Sequence, residues 1–117
     1  MAKTAIILGA TGFIGGLLLN KLITDDRYKS IKLFSRNSVN NDSKKIKEYI
    51  INVLDLKNHK NDFIADEVYC CVGTTKAKTK DKSIYKTIDY GIPLMAASLS
   101  KENGIQRFLV ISSMGAD

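Results

Sequence analysis

Short apolar runs alternate along this chain with longer mixed stretches. Thr4–Leu8, Ile31–Phe34, Ile46–Val53, Glu67–Val72 and Phe108–Ser112 read as five strands. The first, fourth and fifth (IIL, VYCCV, FLVIS) are near-continuous apolar runs. Parallel strands covered on both faces need that pattern. Phe13–Thr24 is leucine-rich and reads as a helix, and Leu56–Ile64 as a short helix or turn region. Asn37–Ser43 is polar and turn-like. Asp81–Glu102 is largely helical, with Gly104 as the capping residue at its end. Pro93 does not fit inside a continuous helix, because proline removes a hydrogen bond and clashes with the preceding turn. A break is therefore expected near Asp89–Gly91, with the main helix resuming so that Pro93 lies in its first turn. Alternation of strands and helices predicts an α/β fold, a doubly wound parallel sheet.

The connection between the first strand and the first helix is Gly9-Ala10-Thr11-Gly12-Phe13-Ile14-Gly15. Strand, glycine turn and helix form the context of a dinucleotide-phosphate site. Gly9 lets the chain turn off the strand, and Gly12 lets backbone approach a pyrophosphate. Gly15 lets the helix lie close on the sheet. The helix N-terminus offers unpaired N–H groups and a positive dipole end to the phosphates. An ordinary strand-to-helix turn is the competing account, and the flanking strand and helix favour the dinucleotide. Gly9, Thr11, Gly12, Phe13, Ile14 and Gly15 are thus candidate cofactor-binding residues.

The end of the second strand bears on which cofactor. An acidic residue about 20 residues past the glycines would bond the ribose 2′-hydroxyl of NAD. Here the chain has Ser35-Arg36-Asn37 and no carboxylate from Lys29 to Asn41. An arginine fork pairs instead with a 2′-phosphate. A preference for NADP(H) over NAD(H) is therefore expected, with Ser35 and Arg36 at the site; an ordinary surface arginine is the competing account, and the missing acid favours the cofactor. The fourth strand runs into Gly73 and Thr74, which would face the cofactor crevice beside the first strand. A plain strand-ending turn accounts for them equally well.

GATGFIGG, YCCVGTT (69–75), IDYG (88–91) and FLVISSMGAD (108–117) together resemble the atypical and extended short-chain dehydrogenase/reductase proteins. The branch they resemble holds the Tat-interacting-protein-like oxidoreductases and proteins labelled nucleoside-diphosphate-sugar epimerases. The resemblance covers essentially the whole chain. It implies an NAD(P)-binding Rossmann-like sheet of order 3-2-1-4-5. It implies that Asp55, with Leu56 beside it, binds the adenine end, although an N-cap for the following short helix is an equal account of Asp55. It also implies that Ser113, or Ser112 as fallback, hydrogen-bonds the substrate oxygen. Without the resemblance, that Ser-Ser pair is only a turn or cap.

In such enzymes a Tyr-x-x-x-Lys pair on the helix after the fifth strand transfers the proton. The 117 residues stop before that helix. They read as one dinucleotide-binding domain, the front half of such a protein. Tyr28–Lys32 matches the pattern but lies before the second strand and is rejected. The implied function is an NADP(H)-binding oxidoreductase or epimerase-like protein. A non-catalytic NADP-binding regulator of the NmrA-like kind is the alternative.

Bulk properties narrow the partners. The formal net charge is +6, with lysines gathered at Lys76, Lys78, Lys80, Lys82 and Lys86. No aromatic residue is interleaved from Lys76 to Lys82, as base stacking would require, so nucleic acid is not expected as a partner. No apolar run approaches the roughly 20 residues of a membrane span. Met1-Ala2-Lys3 leads straight into strand and turn, without a signal-peptide core. Cys70 and Cys71 are neighbours pointing to opposite faces of a strand, so they make poor disulfide partners. A cytoplasmic location is expected. His59 sits in a polar stretch, and no metal-ligand spacing is present. Finally, the apolar fifth strand forms an edge of the 117-residue chain, and self-association through it is expected.

Overall fold

The computed structural model describes residues 2–71 and 91–111. Five parallel strands form one sheet: β1 (Lys3–Leu8), β2 (Tyr28–Ser35), β3 (Ile46–Ile50), β4 (Glu67–Cys70) and β5 (Arg107–Val110). Their order is β3-β2-β1-β4-β5, the order expected. The central strand β1 pairs with β2 from Lys3↔Tyr28 to Leu8↔Phe34, and with β4 from Ala5↔Glu67 to Leu8↔Cys70. Among the described residues two α-helices flank the sheet, α1 (Phe13–Ile23) and α2 (Ile92–Glu102). A 3-10 segment, Val53–His59, follows β3.

Side chains alternate across a strand, and β1 uses this to supply both cores. Ala5 and Ile7 pack with Leu19 and Leu22 of α1 and with Ile31 and Leu33 of β2. Ile6 and Leu8 pack on the other face with Phe34, Leu56, Phe63 and Val68, and with Ala96 and Leu99 of α2. Ala5 to Leu8 are wholly buried, as the continuous apolar run requires. Each large aliphatic side chain among them contributes about 1.5–3 kcal/mol relative to exposure.

Several expected boundaries shift. β2 begins at Tyr28 rather than Ile31. The register of β1 on β2 slips between Lys3 and Thr4, where Tyr28 and Ser30 are the successive partners. That extra residue puts Tyr28 on the face of Ile31 and lets a polar-looking segment join the sheet. β3 stops at Ile50, because Asn52 turns the chain and its side chain accepts from the Leu54 N–H at 3.0 Å. Pro93 lies in the first turn of α2, as expected. Gly104 (φ +68°) follows the C-cap Asn103. Gly104 N–H donates to Lys101 O at 3.2 Å and Ile105 N–H to Ser100 O at 2.9 Å, a Schellman closure. The helical stretch expected before residue 91 lies outside the described residues.

Candidate functional site

With all strands parallel, the connections after β1, β2 and β3 emerge at one edge of the sheet, where β4 also ends. The glycine turn follows β1. Gly9 has φ +87°, a conformation open to glycine and costly for other residues. Gly12 N–H returns to Gly9 O at 3.1 Å and closes a tight turn over Ala10 and Thr11. Gly12 is the N-cap of α1 and accepts from Gly16 N–H at 2.8 Å. It brings no side-chain cap, and no acidic residue stands in the first turn. In an α-helix the N–H groups of Phe13, Ile14 and Gly15 have no intrahelical acceptor.

The last two glycines serve different ends. A Cβ on Gly15 would stand 2.1 Å from Gly9 O and 2.7 Å from Gly9 C, so this glycine is demanded by the helix lying on the turn. A Cβ on Gly12 would meet only Gly9 O, at an ordinary 3.4 Å. The fold therefore tolerates a side chain at Gly12, and the space it would fill is open. This turn fits a bound pyrophosphate: open room at Gly12, donor groups and a positive dipole end, with no competing carboxylate.

The other expected residues divide. Arg36 is exposed at the tip of β2. Ser35 is only 4% exposed, and its hydroxyl donates to Asn37 O at 2.8 Å rather than standing in the open. Asp55 is exposed in the 3-10 segment at the same edge, and Asn52, not Asp55, caps that segment. Leu56 is fully buried among Leu8, Phe34 and Phe63, so its side chain anchors the segment and does not line the edge. Thr11 and Phe13 are exposed, and Ile14 is half-buried. Cys71 follows β4 beside the turn, its N–H donating to Leu8 O at 2.8 Å. Burial pushes its thiol up to about 11, helped by Cys70. Gly73, Thr74, Ser112 and Ser113 lie outside the described residues. Tyr28 and Lys32 stand within β2, not before it, and do not meet. The Tyr28 hydroxyl bonds Glu67, while Lys32 Nζ donates to Asp62 O and Ile64 O at 3.1 and 2.9 Å.

Comparison with known proteins bears on the family and the fold. The model of the NAD dependent epimerase/dehydratase family matches residues 5–116. The chain belongs to this family. The family binds a nicotinamide dinucleotide. Protein FMP52, mitochondrial, of Candida albicans is 33% identical over 119 residues, covering 97% of this chain and 52% of that protein. Protein HTATIP2 of Rattus norvegicus is 27% identical over 119 residues, covering 98% of this chain and 49% of that protein. The chain spans about half the length of the curated relatives it matches. Among solved structures, UDP-glucose 4-epimerase of Thermotoga maritima superposes with TM-score 0.78 at 16% identity, over 92% of this chain and 37% of its own. Bordetella bronchiseptica WbmG in complex with NAD gives TM-score 0.78 at 14% identity, over 94% and 37%. These two establish the shared fold. The expected cytoplasmic location is corrected: the matching fungal relatives carry the name mitochondrial.

The opposite edge of this epimerase/dehydratase-family sheet holds a cluster that the sequence pattern hid. Glu67, at the amino end of β4, is 3% exposed. Its Oε1 accepts from the Tyr28 hydroxyl at 2.5 Å and the Tyr69 hydroxyl at 2.8 Å. Its Oε2 pairs with Lys3 Nζ at 3.2 Å and Arg107 at 3.7 Å. Burial pushes the Glu67 carboxyl up, but the bonds from Tyr28, Tyr69 and Lys3 outweigh it and hold the group below the usual range. Burial and the same carboxylate push Tyr28 and Tyr69 upward. A depression of about 570 Å³ lies here, lined by Ala2, Lys3, Asp66, Glu67, Gln106 and Arg107. It is at the amino ends of the strands, away from the glycine turn. The only sequence signal was a glutamate opening an otherwise apolar strand.

Proposed function

We propose that this chain is the cofactor-binding domain of an NADP(H)-dependent oxidoreductase or epimerase-like protein, acting on a carbonyl or alcohol carbon. The observation that carries the cofactor preference is Arg36, exposed at the tip of β2 with no carboxylate from Lys29 to Asn41. A guanidinium there favours a 2′-phosphate, and a carboxylate would have favoured a free 2′-hydroxyl. When bound, the dinucleotide supplies or accepts the hydride.

The chain's residues do the binding and orienting. The N–H groups of Phe13, Ile14 and Gly15 hold the pyrophosphate over Gly12. Asp55 accepts from the adenine amino group, and its exposed position at this edge supports that role. Gly73 and Thr74 approach the cofactor, and Ser113, with Ser112 as fallback, donates a hydrogen bond to the substrate oxygen. Tyr28 and Lys32 take no part, since each is engaged elsewhere.

Calorimetric titration with NADPH and NADH tests the assignment. The native chain is expected to bind NADPH more tightly, and Arg36→Ala to lose far more NADPH than NADH affinity. Equal losses for the two would overturn the role of Arg36.

A further inference from the structure

We infer that Ser35 is a positioning residue that sets the 2′-phosphate preference through Arg36 without touching the cofactor. The inference rests on the NADP(H) assignment above.

Ser35 is the last residue of β2 and is held from two directions. Its carbonyl accepts from Ile51 N–H at 2.9 Å, tying it to the chain leaving β3. Its buried hydroxyl donates to Asn37 O at 2.8 Å. The two residues flanking Arg36 are therefore joined to each other, and one of them is fixed to the sheet. This sets the backbone direction from which the Arg36 side chain leaves. It also gives the Asn37 carbonyl oxygen, a partial negative charge beside the arginine, a buried partner.

The chain beyond Asn37 is anchored as well. Glu48 of β3 accepts from the Ser38 hydroxyl at 2.7 Å and from Val39 N–H at 2.9 Å. The nearest acidic side chain on the neighbouring strand is thus engaged by the loop. Preorganisation of this kind raises affinity by lowering the cost of ordering on binding. It favours NADPH over NADH, because only NADPH carries the group that Arg36 would meet.

The test is titration of the 117-residue chain with NADPH, NADH and adenosine 2′,5′-bisphosphate. Native protein is compared with Ser35→Ala, Arg36→Ala and the double variant. Ser35→Ala is expected to weaken NADPH and the bisphosphate three- to tenfold, the range that one neutral hydrogen bond carries. NADH should change by less than about twofold on the same grounds, since its 2′-hydroxyl makes no call on the arginine. In the Arg36→Ala background, Ser35→Ala should have no further effect, because the two act through one contact.

If Arg36→Ala abolishes the preference and Ser35→Ala preserves it, the inference is overturned and the NADP(H) assignment stands. Equal weakening of all three ligands by Ser35→Ala also overturns it, since that marks a general loss of structure. A native chain without preference for NADPH, or without binding, removes the assignment and the inference together. Should Ser35→Ala fail to fold, Ser35→Cys fills the same space with a weak donor and is judged by the same ratios.

Discussion

Gly12 and Gly15 are three residues apart in one motif, yet the structure predicts opposite consequences for replacing them with alanine. At Gly15 the new Cβ would meet three backbone atoms, at 2.1, 2.7 and 3.0 Å. The nearest is about 1.3 Å short of the 3.4 Å at which ordinary contact begins. No flexible side-chain end is available to move aside, so α1 must shift off the turn. Leu19 and Leu22 of that helix are core residues and would shift with it. Overpacking of a close-packed interior costs about 1–3 kcal/mol, and an all-backbone clash belongs at or above the upper value. For a 117-residue domain, ~3 kcal/mol lowers Tm by about 12 °C. Gly12→Ala meets only one atom at ordinary distance, and its backbone (φ −82°, ψ 172°) suits any residue. Its stability cost should stay below about 1 kcal/mol, the loss typical of a poorer N-cap. Its methyl group nevertheless occupies the space where the pyrophosphate would approach. Thermal unfolding and NADPH titration of both variants give the readout. Gly15→Ala should fall sharply in Tm, and Gly12→Ala should melt near the native protein and lose binding. Native-like melting of Gly15→Ala would refute the packing account. Native-like NADPH affinity in Gly12→Ala would refute the phosphate account.

Three further expectations concern other parts of the molecule. Glu67→Gln should destabilise by about 2–4 kcal/mol at neutral pH in urea unfolding, because it removes a buried charge that Lys3, Tyr28 and Tyr69 all address. Because the fold lowers the Glu67 pKa from its ordinary 4.5, its stabilisation is present above that value and is lost as pH falls through the lowered one. The deficit should therefore shrink on acidification, and a widening deficit would contradict the network. Cys71, with its thiol at about 11, should react with iodoacetamide far more slowly in the native protein than in urea at pH 8; equal rates would show that its burial is wrong. Leu109 and Val110 of β5 are 38% and 52% exposed. The 117-residue polypeptide should consequently self-associate in light scattering, and strand-edge substitution Val110→Lys should return it to monomer. A native monomer at all concentrations would discard that expectation.

The sheet order was legible because periodicity and turn chemistry agreed. β1 is short and wholly apolar, it is followed at once by glycines and a leucine-rich helix, and each feature restricts the others. The same agreement anticipated the backbone roles of Gly9, which turns the chain off β1, and of Gly15, which lets α1 pack closely. Boundaries were less legible where polar residues joined the sheet. Tyr28-Lys29-Ser30 looks like a loop, yet a register slip and the Glu67 bonds make it strand. Leu56 shows a different limit. Its proximity in sequence to Asp55 suggested the cofactor edge, but successive residues of a 3-10 turn point about 120° apart, and the apolar one went to the core. Asn52 took the capping role for a related reason, since the turn begins two residues before Leu54, where the chain leaves β3. The Glu67 cluster was hidden because its members, Lys3, Tyr28, Glu67, Tyr69 and Arg107, come from four strands. Strand register alone brings them together.

The two edges of the sheet deal with polar groups in opposite ways, and the difference supports the proposed placement of the cofactor. At the amino edge every buried side-chain polar atom among the described residues has a partner. Glu67 satisfies two hydroxyls and two cations, so a ligand entering there would have to break charge-assisted bonds. Such a cluster holds strands in register and offers little to a newcomer. At the carboxyl edge α1 and α2 both start at a glycine N-cap, Gly12 and Gly91, without a side-chain cap, whereas the 3-10 segment there is capped by Asn52. A Ser, Thr, Asp or Asn N-cap exceeds glycine by only about a few tenths of a kcal/mol, so carrying glycine at position 12 costs the helix little. The same omission leaves N–H donors directed at open space. A side-chain oxygen at Gly12 would stabilise the helix and compete with a phosphate for those donors. A glycine at this residue therefore gives up little helix stability while leaving those donors free of an intramolecular competitor.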